Sequence, residues 1–327
     1  MISRLLIVFL AVLFAPTALA HAAQNRDETL RAIVRVSSQV PADARTAKSL
    51  GTQREGSGVV IDSGGLVLTV GYLILEAAKA EVLSPRGKPV DAEVVGYDHN
   101  TGFGLLRAKK TLKVKPMQFG DSAKLKIRDE VLVASHGGPG SVQGAFVASR
   151  REFAGSWEYL LENAIYTTPP HRNFGGAALI GRRGRLLGIG SLFLQDVMPG
   201  HGPMPGNMFV PIDQLKPILA DLIVKGRSSG PSRPWLGIYT QEAGGRILVL
   251  RITPDGPAYK AGIRQGDMIV GVAGEAVESL ADFYRKVWSK GHAGVRVSLN
   301  VLRGTSVRNI PVRSSDRYKY LRIKPRF

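Results

Sequence analysis

The feature that most constrains the fold of this chain is a long series of short β-prone segments separated by turn residues. "AIVRVSSQV" (32–40) alternates apolar and polar residues as a strand does. "GSGVVIDSGGLVLTVGYLI" (56–74) contains two β-rich runs joined by "DSGG", which is typical of a hairpin. Glycine occurs 38 times and proline 19 times. More short strands are predicted at "AEVLSP", "DAEVVGYD", "GFGLLRA", "DEVLVAS" and "GAFVASR". The series predicts a mostly β protein built of barrels or a sandwich.

A helix and a linker divide this series. The segment "IDQLKPILADLIVKG" (212–226) is predicted to be an amphipathic helix that ends at a capping glycine. The polar, proline-rich "RSSGPSRP" (227–234) follows as a linker. Beyond it we predict a compact unit with a helix at "SLADFYRKVWSK" and a closing strand pair, "RVSLNVLR" and "RNIPVR". A chain of 327 residues with 44% hydrophobic residues is long enough for at least two such domains.

The N-terminus is predicted to be a secretory signal peptide. Arg4 supplies a positive charge, "LLIVFLAVLF" (5–14) an apolar core, and "ALA" (18–20) a small-residue cleavage site. The apolar core is short for a membrane span. An uncleaved N-terminal anchor is the alternative. We expect residues 1–20 to be removed and the mature protein to be exported, beginning at His21.

Composition excludes several classes of chemistry. The chain has no cysteine, which excludes disulfides and thiol catalysis, and its six histidines show no metal-ligand spacing. We therefore predict no metal and no other cofactor. The formal net charge of +18 favours attraction to an anionic envelope surface or an acidic polymer. A solvated basic surface without a dedicated partner is the alternative. With no recognition helix or stacking-aromatic motif, no specific nucleic acid is predicted as a partner.

Several stretches, in a fixed order, resemble the HtrA family of trypsin-like serine proteases. "GSGVVIDSGGLVLTVGYLI" resembles the segment that carries the family's catalytic histidine, "VVGYDHNTGFGLLR" that of the aspartate, and "NFGGAALIGRRGRLLGIGSL" the nucleophile loop. "NMFVPIDQLKPILADLIVKG" resembles the closing strand and helix, and "PWLGI" opens what resembles the PDZ domain. The resemblance implies a chymotrypsin/trypsin-like double β-barrel followed by a PDZ domain. The expected divisions are a barrel domain (27–226), a linker (227–234), a PDZ domain (235–316) and a basic tail (317–327).

The three positions that the resemblance assigns to catalysis lack catalytic side chains. Trypsin-like hydrolysis needs a serine to attack, a histidine to take its proton and a carboxylate to orient the histidine. Those positions hold Tyr72, Gly102 and Phe174 here. A phenol, with a pKa of about 10, is a poor base near neutral pH. Matching residues frame each substitution: Thr69, Asp98, Thr101, Asn173, Gly175 and Gly176. The sequence therefore predicts a degenerate triad.

Each of these positions has a structural interpretation. Phe174 either fills a vacated pocket as a core residue or contacts a bound peptide. Tyr72 is expected to be a buried aromatic whose hydroxyl bonds to backbone. Gly102 marks a turn. Ala177 stands where the family has proline, and the stretch before the loop is short, which argues against an ordered oxyanion hole. We place His136, in "ASHGGPG", on a surface loop and assign it no ligand.

The PDZ resemblance predicts a peptide-binding groove. An extended C-terminal peptide adds a strand to such a domain, while backbone N–H groups bind its carboxylate. Those N–H groups are expected near Leu236, Gly237 and Ile238, in the loop that Trp235 begins. Ile238, Phe283 and Val287 are candidates for the pocket of the last ligand side chain, and plain core packing is the alternative for the latter two.

Three functions remain open from sequence. The first, which we favour, is an exported pseudoprotease that binds peptide C-termini or unfolded envelope proteins in quality control, as a homo-oligomer, often a trimer in this family. The second is an active serine endopeptidase with an unrecognised nucleophile. The third is a basic envelope-associated protein that recognises polyanions by charge.

Overall fold

The computed structural model describes residues 27–84 and 87–321. The expected signal peptide and the last residues of the basic tail lie outside the described residues. Two closed barrels come first, then a separate sheet. None of the helices in the described ranges is long and apolar enough to cross a membrane.

The first barrel is closed in the order β1-β2-β3-β6-β5-β4. Its hairpin between the second and third strands is the one predicted at "DSGG", and there the Asp62 carboxylate accepts a hydrogen bond from the Leu66 N–H at 2.7 Å. A short helix, α1 (Ala47–Leu50), links the first two strands. The strands are β1 (Ile33–Gln39), β2 (Gln53–Val60), β3 (Leu66–Val70), β4 (Lys79–Leu83), β5 (Pro89–Tyr97) and β6 (Phe103–Ala108).

The second barrel is closed in the order β10-β11-β12-β9-β8-β7. Its long hairpin is formed by β8 and β9 and extends from the barrel through the turn Ser156–Glu158. The strands are β7 (Glu130–Ala134), β8 (Val142–Gly155), β9 (Tyr159–Thr168), β10 (Ala178–Ile180), β11 (Leu186–Leu194) and β12 (Gly206–Pro211). The two barrels confirm the predicted double-barrel fold.

The helix predicted over 212–226 is shorter in the structure. Only α2 (Leu219–Lys225) is α-helical, and a 3-10 turn (Ile212–Gln214) precedes it. Pro217 explains the difference, because proline lacks the N–H that a helix interior needs and disfavours helical backbone before it. Leu215 and Leu222 are buried in the barrel core as the amphipathic pattern predicted, and Gly226 caps the helix.

The C-terminal domain is a 6-stranded sheet with order β13-β14-β15-β17-β18, in which β16 pairs with β15. Ser279 caps the predicted helix α4 by accepting a hydrogen bond from the Asp282 N–H. The strands are β13 (Ile238–Ala243), β14 (Arg246–Ile252), β15 (Met268–Val272), β16 (Glu275–Ala276), β17 (Arg296–Arg303) and β18 (Ser306–Arg313). The helices are α3 (Pro257–Lys260), α4 (Leu280–Ser289) and α5 (Arg317–Tyr320).

Two hydrophobic clusters account for most of the buried core. One runs through both barrels, and the other belongs to the C-terminal domain. Leu160, at the start of β9, is a barrel residue by position but packs in the C-terminal cluster. The hairpin of β8 and β9 therefore reaches into the neighbouring domain.

The loop between β9 and β10 is held by backbone contacts that only glycine permits. Gly176 has a φ of +75° and donates its N–H to the Gly190 carbonyl at 2.8 Å. A Cβ at Gly176 would lie 1.9 Å from the Ser57 carbonyl oxygen of the first barrel. The loop thus fits against the first barrel with no space for a side chain at this position.

We expect Gly176→Ala to destabilise the protein. Left-handed backbone at a non-glycine residue costs about 1–3 kcal/mol, and the contact with the Ser57 carbonyl adds to this cost. The measurement is the free energy of unfolding in urea. Gly140→Ala is the matched control, because a Cβ there would meet nothing within 4 Å. Equal stability of the two variants would contradict the packing described here.

Candidate functional site

The three degenerate triad positions meet where the two barrels join. Tyr72 lies in a 3-10 turn (Gly71–Leu73) directly after β3, Gly102 in the turn between β5 and β6, and Phe174 in the loop between β9 and β10. The Gly71 N–H donates to the Gly102 carbonyl at 2.7 Å. A Cβ on Gly175 would lie 3.0 Å from the Tyr72 hydroxyl oxygen. The fold therefore brings together the three positions that the resemblance assigns to catalysis, which hold a tyrosine, a glycine and a phenylalanine.

Tyr72 is a hydrogen-bond donor rather than a base. Its hydroxyl donates to the Ser191 carbonyl at 3.0 Å. Ser191 lies at a β-bulge in β11, where the register with β12 shifts, and a bulge leaves such a residue unpaired in the ladder. Burial raises the pKa of Tyr72 above its ordinary value. The phenol stays protonated near neutral pH, and its role is to satisfy the carbonyl of the bulge.

The position of the catalytic acid is occupied by backbone and by a tyrosine. Gly102 has a φ of +81°, and a Cβ there would lie 3.4 Å from the Tyr159 hydroxyl oxygen. That hydroxyl donates to the Thr101 carbonyl at 2.7 Å. Burial raises the pKa of Tyr159, so it too remains neutral.

Asp98 is the carboxylate that precedes this turn, and its oxygens are engaged. One oxygen accepts hydrogen bonds from the Thr101 N–H at 2.8 Å and the Thr101 hydroxyl at 2.7 Å. The other accepts from the Ser228 hydroxyl at 3.0 Å. Asp98 thus fixes the turn and attaches the segment that follows α2.

Phe174 is half-buried, and among the described residues it is not one of those packed in the hydrophobic clusters. The interpretation that it fills the core is therefore wrong. The backbone of the loop explains its position, because the Phe174 carbonyl accepts the Ala177 N–H at 3.0 Å and lies against Gly190. The side chain remains partly open to solvent at the junction of the barrels.

His171, three residues before Phe174, organises the loop. Its Nδ1 accepts the Asn173 N–H at 3.1 Å, and its Nε2 lies 3.2 Å from the Ser141 carbonyl oxygen. Both ring nitrogens are therefore used for structure, with the proton on Nε2.

One serine–histidine–carboxylate group does occur next to this loop. The Ser57 hydroxyl oxygen lies 3.1 Å from Nδ1 of His136, and Nε2 of His136 lies 3.8 Å from a Glu55 carboxylate oxygen. The predicted loop position of His136 agrees with the structure, but sequence reasoning missed the contact with Ser57, which is distant in sequence. His136 is half-buried, and burial lowers its pKa.

The surroundings of Ser57 do not suit a nucleophile. Ser57 is 0% exposed, and its hydroxyl oxygen also accepts the His136 backbone N–H at 3.0 Å. The Ser57 N–H donates to the Gly175 carbonyl at 2.8 Å, so the residue is locked beneath the loop. With no exposed surface among the described residues, the Ser57 hydroxyl is not accessible to a substrate carbonyl in this conformation.

The expected carboxylate-binding loop of the C-terminal domain holds a carboxylate from the barrel domain. The N–H groups of Leu236, Gly237 and Ile238 donate to the two oxygens of Glu158, at 2.8, 2.6 and 2.9 Å. Gly237 has a φ of +79°. This conformation lets successive N–H groups converge on one anion.

The other expected groove residues are buried. Phe283 and Val287 lie in the C-terminal hydrophobic cluster together with Ile238. Trp235 packs its ring against Tyr320 at 4.7 Å between centroids, and its backbone pairs with Ser315. These contacts give Trp235 a structural role in holding the tail.

Sequence reasoning missed three residues that complete this second site: Glu158, Leu160 and Tyr284. Glu158 and Leu160 lie on the hairpin of the second barrel, and Tyr284 lies on α4. Nothing in their local sequence marks them, because the site forms only when the two domains pack together.

Two segments of the chain match known domain families, and these segments correspond to the barrels and to the C-terminal sheet. Residues 56–189 match the trypsin-like peptidase domain family and residues 234–313 match the PDZ domain family. The fold and the sites thus define a trypsin-like peptidase domain joined to a PDZ domain.

Curated relatives share sequence with most of this chain. The chain is 27% identical over 273 residues to a probable periplasmic serine endoprotease, DegP-like, of Bartonella henselae, covering 79% of this chain and 52% of the relative. It is 28% identical over 263 residues to the periplasmic pH-dependent serine endoprotease DegQ of Escherichia coli, covering 76% of this chain and 56% of the relative. The chain spans little more than half the length of these relatives. The chain is thus similar to periplasmic HtrA-type serine endoproteases across its trypsin-like and PDZ domains.

Solved structures share the fold. The HtrA-type protease AlgW with a tripeptide superposes with a TM-score of 0.53 at 20% identity, covering 91% of this chain and 97% of that chain. The serine endoprotease from Yersinia pestis superposes with a TM-score of 0.54 at 23% identity, covering 90% of this chain and 97% of that chain.

We expect Tyr72→Phe to lower the free energy of unfolding by about 1–2 kcal/mol, because it removes the donor that satisfies the Ser191 carbonyl. Urea unfolding measures the change. Tyr259→Phe is the control, since Tyr259 is 58% exposed. If Tyr72→Phe proves as stable as the control variant, the hydroxyl has no structural role.

Proposed function

We propose that this protein is a catalytically inactive HtrA homologue that acts as a peptide- or unfolded-protein-binding scaffold in envelope protein quality control. One observation carries the proposal: the three triad positions come together, yet they present a neutral phenol, a glycine and a phenylalanine. None of these can attack a carbonyl or take up a proton near neutral pH. A site with this geometry keeps the architecture of the family without its chemistry.

The domain organisation supports a binding role. We assign the barrels to residues 27–226, a linker to 227–234, and the PDZ domain to 235–316. The three converging N–H groups and the edge of β13 that faces away from β14 are the groups with which a PDZ domain binds peptide C-termini. The relatives are named as periplasmic enzymes, and the predicted signal peptide agrees, so we place the protein in the periplasm. A homo-oligomer, as a trimer, and contact of the basic surface with anionic envelope components remain parts of the proposal.

An active endopeptidase is the second candidate, because the family activity is proteolysis and Ser57 lies beside His136. The burial of Ser57 and the double use of its hydroxyl oxygen argue against it. A polyanion-binding role would rest on net charge alone and predicts binding that fades at high ionic strength.

We expect the purified mature protein to leave casein intact and to resist labelling by a fluorophosphonate probe. Phe174→Ser should also remain unlabelled, because the new hydroxyl would find a protonated tyrosine where a base is needed. An active trypsin-like protease serves as the positive control for both assays.

Ser57→Ala separates the two candidate functions. Labelling of the native protein that disappears in Ser57→Ala would make Ser57 the nucleophile and overturn the proposal. Labelling that survives in Ser57→Ala would also overturn it, and mapping the modified residue would then locate the active site.

A further inference from the structure

The turn Ser156–Glu158 lies in the peptide groove of the PDZ domain and contacts its strand side in two places. Glu158 accepts the three N–H groups of the carboxylate-binding loop. Two residues earlier, the Ser156 carbonyl accepts the Thr240 N–H at 2.9 Å. β13 pairs with β14 along one edge, so the N–H groups of Ile238 and Thr240 point to the other edge. Both of these N–H groups bind the turn.

The helix side of the groove binds the same turn. The Tyr284 hydroxyl donates to the Gly155 carbonyl at 2.6 Å and accepts the Glu158 N–H at 3.2 Å. Arg317, in α5, donates to the Trp157 carbonyl at 3.1 Å. Strand, helix and tail therefore each contact the turn, and every residue of the turn takes part in a hydrogen bond.

These contacts match the way in which a PDZ domain binds a C-terminus. A bound peptide offers its terminal carboxylate to the loop N–H groups and adds its backbone to the free strand edge. Glu158 supplies the carboxylate from a side chain, and the Ser156 carbonyl makes one of the hydrogen bonds that an added strand would make with β13. We propose that the turn Ser156–Glu158 is a built-in ligand of the PDZ groove, so that an external C-terminal peptide binds only by displacing it.

The burial and the backbone conformation of Glu158 indicate that this residue is bound by the PDZ domain and does not simply lie next to it. Glu158 is 8% exposed, and burial raises its pKa while the loop N–H groups and Arg317 oppose that rise. A buried carboxylate requires such partners, because leaving one unpaired is costly. Glu158 also has a φ of +56°, a strained backbone conformation that persists only when surrounding contacts fix it.

Tethering makes this internal ligand a strong competitor. A segment of the same chain acts at an effective concentration of order millimolar. The apparent affinity for an external peptide is then the intrinsic affinity multiplied by the fraction of molecules in which the groove is empty. The inference rests on the proposed function, because it takes peptide C-termini as the external ligands.

The test is a binding titration on the full mature chain. The probes are fluorescent peptides of one polar sequence that end in valine, leucine or phenylalanine, each with a free carboxylate or a C-terminal amide. Glu158→Gln keeps the size of the side chain but replaces a charged acceptor with a neutral amide. We expect this variant to bind at least one of the free-carboxylate peptides about 10-fold or more tightly than the native protein, by removal of the competitor. The amides should bind poorly to both proteins.

Glu130→Gln is the matched control, because it removes the same charge from an exposed pair with Arg182 on the second barrel. This variant should bind as the native protein does. Equal, tight binding of the free-carboxylate peptides by the native protein and by Glu158→Gln would overturn the built-in ligand while leaving the proposed function in place.

Amide hydrogen exchange gives a readout that needs no peptide. The N–H groups of Leu236, Gly237, Ile238 and Thr240 should be protected in the native protein and exchange faster in Glu158→Gln. Fast exchange of these amides in the native protein would overturn the inference. Protection that is lost in Glu158→Gln, with no peptide bound by either protein, would support the built-in ligand and overturn the proposed peptide-binding function.

Discussion

The relative arrangement of barrels and PDZ domain depends on one buried carboxylate. Glu158 is removed from water at the domain boundary, and its two oxygens are compensated by backbone N–H groups that belong to the other domain. If the domains separated, the Glu158 carboxylate and the three N–H groups would have to form hydrogen bonds with water instead. The contact therefore depends on specific hydrogen-bond partners and not only on general packing. The tail reinforces it, because the Tyr318 hydroxyl donates to the Tyr97 carbonyl of the first barrel at 3.0 Å. The PDZ domain is thus fastened to both barrels.

The loop that carries Phe174 is fixed by contacts that do not use the Phe174 side chain. The loop between β9 and β10 is fixed by Gly176, by the Gly175 carbonyl that accepts the Ser57 N–H, and by His171. None of these contacts involves the side chain at position 174. A nucleophile can therefore be replaced without disturbing the junction of the barrels. Tyr72, in contrast, has a structural role of its own, because its hydroxyl donates a hydrogen bond to the Ser191 carbonyl at the bulge in β11.

The sequence predicted correctly those features that depend on residues close together in the chain. Alternating strands, the "DSGG" hairpin and the cap of α2 at Gly226 each depend on neighbouring residues, and short motifs carry that information. Proline inside the predicted helix over 212–226 was visible, yet its effect was underestimated. Glu158 could not be predicted, because it lies 78 to 80 residues from the N–H groups that it binds. A glutamate in a hairpin turn has no local signature of such a partner. The contact of His136 with Ser57 could not be predicted for the same reason, since the two residues are 79 positions apart.

The two sites share one short stretch of chain. Tyr159 follows Glu158 directly, and its hydroxyl donates to the Thr101 carbonyl beside Gly102, where the family's acid would stand. Glu158 points into the PDZ groove while its neighbour points into the first barrel. The turn is therefore fixed on both sides, by the PDZ loop at Glu158 and by the first barrel at Tyr159. A displacement of the proposed internal ligand that also broke the bond from Tyr159 to Thr101 would pass a change in the PDZ loop to the junction of the barrels through a contiguous physical contact.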